Sequence, residues 1–349
     1  MKVGLVLEQC LAPVPGGVGR YSRELALALR DTAPAGSSVH GVTAYHREQL
    51  HLDGIPTRRL PLPRRPLIAA WERGRWPAVN GNLVHAPSPL HPRRGSAPLV
   101  VTVQDAVPWT FPEMLTPRGV KWHRAMVQRA ASEADLVVVT TQATADELAK
   151  HVPLRDVLVV GLGRSDDLDL PADADERAAA MNLPERFVLT VATLEPRKGL
   201  RELAAAMRAF PDVPLLCAGQ AGWGEGVPLE GDVRVLGRVD DADLAVLLDR
   251  ATALACPSYD EGFGLPLLEG MAAGTPVLIS QAPALVEVAG GAALSVPITE
   301  LVDGLRQVLE DEPLRERLRA AGPLRAADFS WQRSAEQLWR AYRQLGDFG

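Results

Sequence analysis

The chain has 349 residues, 47% hydrophobic and 23% charged, a length that predicts about two domains. This composition is ordinary for a globular protein and excludes a disordered chain, a collagen and a coiled coil. The net charge is −6, from 37 basic and 43 acidic residues, which argues against general nucleic-acid binding.

The first half of the chain alternates short apolar runs with amphipathic stretches. The runs rich in Val and Leu are Val3–Leu7, Val39–Tyr45, Leu83–His85, Leu99–Val103, Leu136–Thr140 and Val157–Val160. Such alternation is typical of parallel strands covered by helices on both faces. We therefore predict a doubly wound α/β domain over residues 1–165.

The alternation starts again after an acidic stretch, Arg164–Glu176, which we interpret as the domain boundary. The second series of predicted strands is Phe187–Ala192, Pro214–Ala218, Val233–Leu236, Ala253–Cys256, Val277–Ser280 and Ala292–Val296. Predicted helices between them are Leu200–Phe210, Asp241–Ala251 and Leu265–Ala273. A second doubly wound domain is predicted over residues 166–330, with function on the loops that follow the strands, facing a cleft.

The end of the chain predicts a helix. Apolar residues recur at helical spacing from Trp331 to Tyr342, so this stretch needs a surface on which to bury its stripe. No apolar segment reaches the length of a signal peptide core or of a membrane span. We expect a cytoplasmic protein.

The sequence lacks the motifs that are typical of several kinds of functional site. The three cysteines form no CxxC pair and the seven histidines no HxH or HxxxH pair, so no metal or redox motif is indicated. GxSxG and GxxxxGK[ST] are both absent, which argues against a hydrolase nucleophile and a P-loop.

Three loops carry candidate chemistry. The first, Pro13–Gly19, is predicted to join the strand Val3–Leu7 to a helix starting near Arg20. Gly16 and Gly17 let the backbone approach a ligand, and a helix N-terminus favours an anion. The spacing is not that of a dinucleotide fingerprint, and a plain flexible loop is the alternative.

The second loop places two adjacent cations after a strand. Arg197 and Lys198 lie between Pro196 and Gly199, directly beyond Phe187–Ala192. Such a pair suits two neighbouring phosphates better than a single carboxylate. A solvated pair of charges before a helix is the alternative.

The third loop carries two carboxylates. Glu261 precedes Gly262 and Gly264, whose N–H groups can face an anion, and Glu269 lies in the helix that Pro266 opens. Carboxylates accept hydrogen bonds from hydroxyls. This pattern predicts a site for a sugar or a ribose.

A basic segment, Arg58–Arg94, holds eight arginines against one acid, Glu72, a local charge of +7. Trp71 and Trp76 lie among the arginines. Two interpretations stay open: a face that lies on an anionic membrane, and a solvated face whose tryptophans point into the core.

Together and in this order, these residues resemble the family 4 retaining glycosyltransferases of GT-B fold. The match covers nearly the whole chain and includes Gly16–Gly19, Val101–Asp105, Val137–Thr144, Thr193–Gly199, Ala218–Gln220 and Gly222–Gly224. Most specific is Glu261-x7-Glu269, the family's EX7E motif. The resemblance implies two Rossmann-like domains facing a central cleft, with a helix over residues 331–349 that crosses back onto the N-terminal domain.

The resemblance also implies roles for the matching residues. Arg197 and Lys198 would hold the donor diphosphate and stabilise the leaving group, and Glu261 would contact the transferred sugar. Glu269 would hold the ribose hydroxyls. The other implied donor-binding residues are Gly16, Gly17, Gln104, Asp105, Gly219, Arg238, Val239, Gly262, Phe263, Gly264 and Leu265.

The implied function is retaining transfer of a mannose-, glucose- or rhamnose-like hexose from a nucleoside-diphosphate sugar to an alcohol of a glycan, a lipid-linked or a small-molecule acceptor. The resemblance implies same-face attack without a metal, no cofactor beyond the donor, and no nucleic-acid partner. Peripheral contact with an anionic membrane would go through Arg58–Arg94. The alternatives are an inactive GT-B subunit that binds the donor, and a GT-B epimerase, which the EX7E motif disfavours.

One position departs from the family. Gln104 stands beside Asp105 where the family usually has His. The family's His lies close to the transferred sugar, so our hypothesis is a donor that differs near C6, such as a 6-deoxy sugar. Gln retains a donor and an acceptor of hydrogen bonds.

Overall fold

The structure is a computed structural model that describes residues 1–165, 168–220 and 233–346. The chain divides into two units, the first formed by Met1–Gly163 with Ser330–Gly349 and the second by Arg164–Phe329. The sequence-based limits, 165/166 and 330/331, lie within two residues of these divisions. Part of the acidic stretch, residues 166 and 167, and the motif Gly222–Gly224 lie outside the described residues.

The described part of the first unit contains a seven-stranded parallel sheet. Its strands are β1 Lys2–Val6, β2 Ser38–Tyr45, β3 Thr57–Pro63, β4 Leu83–Ala86, β5 Leu99–Val103, β6 Leu136–Val139 and β7 Val157–Val159. Their order is β3-β2-β1-β4-β5-β6-β7, and each neighbouring pair is parallel. The chain builds outward from β1 and then restarts at β4 on its other side, which makes a topological switch between β1 and β4.

The helices of this unit cover the sheet. They are α1 Gly16–Asp31, α2 Arg64–Glu72, α3 Val107–Thr110, α4 Pro117–Glu133 and α5 Gln142–Ala149. The side chains of Thr116 and Thr141 cap α4 and α5 by accepting from backbone N–H groups in their first turns. Val6, Leu67 and Val101 belong to one of its buried apolar clusters.

Strand β3 has no counterpart among the predicted strands. It lies in the basic segment and contains Pro61 and Pro63, which argue against a strand inside a sheet because proline cannot donate to a neighbour. The prolines are tolerated because, among the described residues, β3 is the edge strand and pairs only with β2. They also limit pairing of this edge with other chains.

The prediction of a glycine loop up to Arg20 is wrong, because α1 already begins at Gly16. Gly19 N donates to Pro15 O at 2.9 Å inside the first turn. A Cβ on Gly19 would lie 2.4 Å from Pro15 Cβ, so this glycine permits close packing against the entering chain. Gly16 and Gly17 are exposed in the same turn.

The second unit repeats the architecture. Its strands are β8 Val188–Val191, β9 Leu215–Ala218, β10 Val233–Gly237, β11 Ala253–Cys256, β12 Val277–Ile279 and β13 Leu294–Ser295. Their order among the described residues is β10-β9-β8-β11-β12-β13, and the pairs are parallel. The topological switch of this sheet lies between β8 and β11.

The helices of the second unit are α6 Ala174–Ala180, α7 Leu200–Met207, α8 Asp241–Arg250, α9 Leu265–Ala272, α10 Pro283–Ala289, α11 Leu301–Glu310 and α12 Glu312–Ala326. Helices α7, α8 and α9 start at the predicted residues, and Pro266 lies in the first turn of α9 as predicted. Leu203, Leu278 and Leu305 join α7, β12 and α11 in one buried core. The predicted doubly wound α/β fold is confirmed for both units.

The last helix, α13 Trp331–Gly346, packs on the first unit. Trp339 Nε1 donates to Leu29 O of α1 at 3.0 Å, and the apolar stripe of α13 is buried. Buried His85 is hydrogen-bonded through one ring nitrogen to Tyr342 OH at 2.5 Å and through the other to Thr102 Oγ1 at 2.8 Å.

Two buried histidines make unfolding depend on pH. Burial lowers the pKa of His85 to about 3, and burial with the charge of Arg129 lowers the pKa of His91 to about 4. In an unfolded chain both histidines have a pKa of about 6.5. Below that pH the unfolded state binds protons that the folded state does not, so stability falls from pH 6.5 towards pH 4, by about 2 kcal/mol per histidine at pH 5.

The variant His85→Gln tests this dependence. We expect the slope of the unfolding free energy against pH to decrease, between pH 6.5 and pH 5, by about the contribution of one bound proton. Urea unfolding at each pH measures this slope. The exposed His51→Gln is the matched control and should keep the slope of the original chain. An unchanged slope in His85→Gln would mean that His85 is charged in the folded protein.

Candidate active site

The second and third predicted loops meet at the carboxyl edge of the second sheet. Strands β8 and β11 are paired, and the loops that follow them carry Arg197–Lys198 and Glu261. Tyr259 N donates to Arg197 O at 2.8 Å and joins the two loops through the backbone. This is the switch point of the unit, where open α/β sheets bind ligands.

Glu261 is the centre of a cluster of charges. Its carboxylate accepts hydrogen bonds from Lys198 Nζ and from Arg197 Nη1, the latter at 3.2 Å. Ser258 Oγ donates to it at 2.8 Å, and Arg197 Nε donates to Glu195 at 3.1 Å. The side chains of Glu261, Lys198 and Arg197 are only 12%, 13% and 19% exposed. The alternative of a solvated Arg-Lys pair is therefore wrong.

The charges around Glu261 determine its protonation. Burial alone would raise the pKa of this carboxyl, but the charges of Lys198 and Arg197, with hydrogen bonds from Lys198 and Ser258, outweigh burial and lower the pKa to about 2. Glu261 is thus ionised at neutral pH. It can accept hydrogen bonds but is a weak base, because a proton on it would displace two cations.

Gly199 allows the two loops to approach each other. It has φ +64°, and a Cβ there would lie 2.1 Å from Pro257 O. A side chain at this position would push the turn that holds Arg197 and Lys198 away from the chain leading to Glu261. The close approach explains why a glycine ends this turn.

Both carboxylates of the EX7E motif lie at the end of β11. Glu269 is in the second turn of α9 and is 4% exposed. Burial raises the pKa of Cys256, the last residue of β11, to about 12, and the charges of Glu261, Lys198 and Glu269 act on the same thiol. The thiol stays protonated and is no nucleophile.

Glu261 leads into a buried turn. Gly262, Phe263 and Gly264 are buried, and α9 begins at Leu265. Gly264 has φ +89°. We call this turn, residues 262–265, the donor turn, after the donor-binding role that the resemblance implies for it.

The remaining predicted site residues of the second unit follow β9 and β10, the strands that lie beyond β8 in the sheet. Gly219 comes after β9, and Arg238 and Val239 come after β10. Gly219 N donates to Gly237 O at 2.8 Å. A Cβ on Gly219 would lie 1.8 Å from Ala192 O, so the glycine lets the end of β9 press against the end of β8.

Gln104 and Asp105 follow β5 in the first unit. Gln104 Nε2 donates to Pro87 O. Because a backbone carbonyl only accepts, this bond turns the amide oxygen of Gln104 away from Pro87. Asp105 Oδ1 accepts from Val107 N at 3.2 Å at the start of α3.

Glu195 and Ser258 have no predicted role, yet both contact the charged cluster. Thr193 Oγ1 donates to Glu195 at 2.8 Å, so Glu195 is held between Thr193 and Arg197. The only signal in the sequence is that both residues lie in the two predicted loops. In the sequence, a Glu that contacts two neighbouring cations cannot be distinguished from a Glu that is exposed to solvent beside them.

The described residues contain neither a cluster of metal-binding side chains nor a membrane-spanning helix. Within residues 1–165, 168–220 and 233–346, no group of three or more His, Cys, Asp or Glu side chains is arranged to hold a metal ion. None of the helices in that part of the chain combines the length and the apolarity needed to cross a bilayer.

The chain matches two families of known proteins. Residues 15–166 match the family described as Glycosyltransferase Family 4. Residues 172–325 match the family described as Glycosyl transferases group 1. The two matches correspond to the two units of the structure.

One curated relative aligns with nearly the whole chain and another with about half of it. The O-antigen chain mannosyltransferase B of Escherichia coli is 29% identical over 398 aligned residues, covering 99% of this chain and 100% of that protein. The phosphatidyl-myo-inositol mannosyltransferase of Mycobacterium tuberculosis is 36% identical over 211 residues, covering 53% of this chain and 56% of that protein.

Solved structures share the fold. Sucrose-phosphate synthase from Thermosynechococcus elongatus has a TM-score of 0.81 at 24% identity, and both chains are covered completely. HepE from Anabaena, in complex with UDP-glucose, has a TM-score of 0.74 at 19% identity, with 99% of this chain and 100% of that chain covered.

Proposed function

This chain belongs to the family 4 glycosyltransferases, and from that premise we propose that it transfers a mannosyl-type hexose from a nucleoside-diphosphate sugar to an alcohol, with retention and without a metal. The observation that carries the proposal is the charged cluster of Lys198, Arg197 and Glu261 at the switch point. The mannosyltransferase that aligns with the whole chain supports the choice of sugar, and HepE bound to UDP-glucose supports the class of donor.

The cations of the cluster suit a diphosphate. On binding, Arg197 and Lys198 exchange contacts with Glu261 for contacts with phosphate oxygens, which are charged acceptors of the same kind. As the bond from the sugar to the diphosphate breaks, negative charge grows on the departing oxygen, and the two cations stabilise it. They supply charge of the kind that a divalent metal supplies elsewhere, which supports a metal-independent reaction.

Glu261 then serves as an acceptor rather than as a base. Freed from part of its ion pairs, its carboxylate accepts hydrogen bonds from sugar hydroxyls, and Glu269 accepts from the ribose. The low pKa of Glu261 makes it a weak proton acceptor. We propose that the departing diphosphate oxygen takes the proton of the attacking hydroxyl on the same face of the sugar, which gives retention.

The test is a panel of UDP-, GDP- and dTDP-sugars with sugar alcohols, lipid-linked glycans and inositol lipids as acceptors, in buffer with EDTA. We expect release of nucleoside diphosphate with a mannosyl donor and a product of unchanged anomeric configuration by NMR. A preference for a 6-deoxy donor would instead favour the hypothesis on Gln104. Donor binding without release under every acceptor would overturn the proposed transfer.

We also propose that a basic face of the first unit contacts an anionic membrane. The basic face consists of exposed side chains from the predicted basic segment: Arg58, Arg59, Arg65, Arg73, Arg75, Trp76 and Arg93. Trp76 is 65% exposed, whereas Trp71 is fully buried and donates to Pro77 O at 2.8 Å. Trp76 therefore agrees with the membrane-binding interpretation of this segment, and Trp71 agrees with the interpretation in which the tryptophans point into the core.

The arginines of the basic face have little internal compensation. Within the described residues, Arg65, Arg73, Arg75 and Arg93 have no carboxylate partner within ion-pair distance. A Cβ on Gly74 would lie 3.7 Å from Arg93 Cδ, so Arg93 lies beside the turn that carries Arg73 and Arg75. Uncompensated cations beside an exposed tryptophan match an anionic bilayer, which offers charge and an interface for the ring.

Neutralising part of this face should weaken membrane binding. The double variant Arg73→Gln/Arg75→Gln removes about 2 kcal/mol of attraction to an anionic surface. We expect this variant to bind phosphatidylglycerol vesicles about 30-fold more weakly in a sedimentation assay. Neither the variant nor the original chain should sediment with neutral vesicles. Arg340→Gln/Arg343→Gln, on the exposed side of α13, is the control and should bind normally. Failure of the original chain to sediment with anionic vesicles would overturn this proposal.

A further inference from the structure

We propose that Phe329, with Arg325 behind it, is a positioning residue that holds the donor turn in the shape needed to bind the sugar. This inference rests on the proposed function and on the donor-binding role that the resemblance implies for residues 262–265, which directly follow Glu261 and which we place against the transferred sugar. Phe329 lies beyond α12, more than 60 positions from that turn along the chain, and no motif of the sequence points to it.

Phe329 contacts the donor turn through Phe263. The two rings meet edge to face, with centroids 5.4 Å apart and an interplanar angle of 90°. Phe263 is buried, whereas Phe329 is partly exposed. Phe329 therefore covers the side chain of the turn rather than filling the core, and edge-to-face geometry fixes the direction of the Phe263 ring.

Arg325 holds Phe329 in place. Its guanidinium carbon lies 4.8 Å from the centroid of the Phe329 ring, within the range of a cation–π contact. The same guanidinium donates to Val288 O and to Glu287 O, both at 2.9 Å, at the end of α10. A Cβ on Gly290 would lie 2.7 Å from Arg325 Nε. The cation is thus fixed on α10 by backbone carbonyls and close packing.

Helix α10 also supports the other side of the donor turn. A Cβ on Gly264 would lie 2.4 Å from Leu285 Cδ2 of α10, so the turn packs directly on this helix. The turn is therefore held by α10 at Gly264, and by a ring anchored on α10 at Phe263. Both contacts therefore fix the position of the turn relative to α10.

The consequence is selective for the sugar. Backbone groups that bind a ligand must be held to a fraction of an ångström, and loss of the Phe329 ring frees Phe263 to shift. Arg197 and Lys198 belong to the loop after β8, which Phe329 does not support. Loosening the donor turn should therefore weaken the sugar contacts more than the diphosphate contacts.

The test compares Kd for the nucleoside-diphosphate sugar found in the panel with Kd for the matching nucleoside diphosphate. In Phe329→Leu we expect the affinity for the sugar nucleotide to fall about 3- to 10-fold, with a clearly smaller loss of affinity for the diphosphate and a melting temperature close to that of the original chain. Phe329→Tyr keeps the ring edge and should retain both affinities. Leu324→Ala, at a residue 77% exposed on α12, is the control.

Two outcomes would overturn the inference while leaving the proposed function intact. One is an unchanged affinity for the sugar nucleotide in Phe329→Leu. The other is an equal loss for both ligands with a lower melting temperature, which would show that the ring only supports the fold. An original chain that bound no sugar nucleotide at all would overturn the proposed function, and this inference with it.

Discussion

Lys198→Ala should reduce kcat/KM for the nucleoside-diphosphate sugar by about 100- to 1000-fold, because one of two preorganised cations at the departing phosphate is lost. The ammonium is only 13% exposed and is bonded to Glu261. Its removal also leaves that buried carboxylate with less compensation, so the carboxylate repels the diphosphate more strongly. Both effects act in the same direction.

The affinity for nucleoside diphosphate alone separates binding from chemistry. We expect Lys198→Ala to weaken it by about 30- to 100-fold, measured by calorimetry. Lys150→Ala is the matched control, because Lys150 is 64% exposed and its pair with Glu147 is a surface pair. An unchanged diphosphate affinity in Lys198→Ala would place the phosphates elsewhere.

The fold was largely predictable because parallel sheets carry a strong local signal. The run Phe187–Ala192 is apolar except for Thr190, as is typical of a strand buried on both faces. Strand β3 escaped prediction because its prolines suit only an edge, and whether a strand is an edge depends on the order of strands, which no local pattern contains. The start of α1 at Gly16 was missed because glycines in a first helical turn look the same as a loop.

The candidate site was predictable in its residues but not in its contacts. The spacing Glu261-x7-Glu269 and the pair Arg197–Lys198 each mark a loop. Their contact follows from the pairing of β8 with β11, two strands with two others between them along the chain. Glu195 and Phe329 were missed for the same reason, since each acts through a neighbour that only the folded chain provides.

Glu261→Gln should raise the affinity for nucleoside diphosphate and lower the rate of sugar transfer. In the structure Glu261 occupies both cations that the proposed mechanism uses for the diphosphate. The amide has no negative charge to repel the phosphates and releases the cations, so the affinity for nucleoside diphosphate should rise about 10-fold. Transfer should fall about 100-fold, because the amide accepts sugar hydroxyls more weakly than a carboxylate does.

The pH dependence of diphosphate binding tests whether Glu261 is ionised. Because the pKa of Glu261 is lowered to about 2, this carboxylate remains ionised as the pH falls from 8 to 5. Acidification in that range should therefore not reproduce the tighter diphosphate binding of Glu261→Gln. A rise in affinity on acidification that Glu261→Gln abolishes would show that the carboxylate is protonated near neutral pH and that its ion pairs are weak.

Glu195→Gln is the matched control for charge, because the carboxylate of Glu195 accepts from Arg197 Nε, whereas Lys198 Nζ donates to Glu261. It removes the same unit of charge from the cluster and leaves the carboxylate of Glu261 for the sugar. Diphosphate affinity should rise in both variants, whereas the large loss of turnover should belong to Glu261→Gln alone. If Glu261→Gln instead bound diphosphate more weakly, the carboxylate would serve to hold the two cations in position, and competition with the phosphates would be the wrong account of their contact.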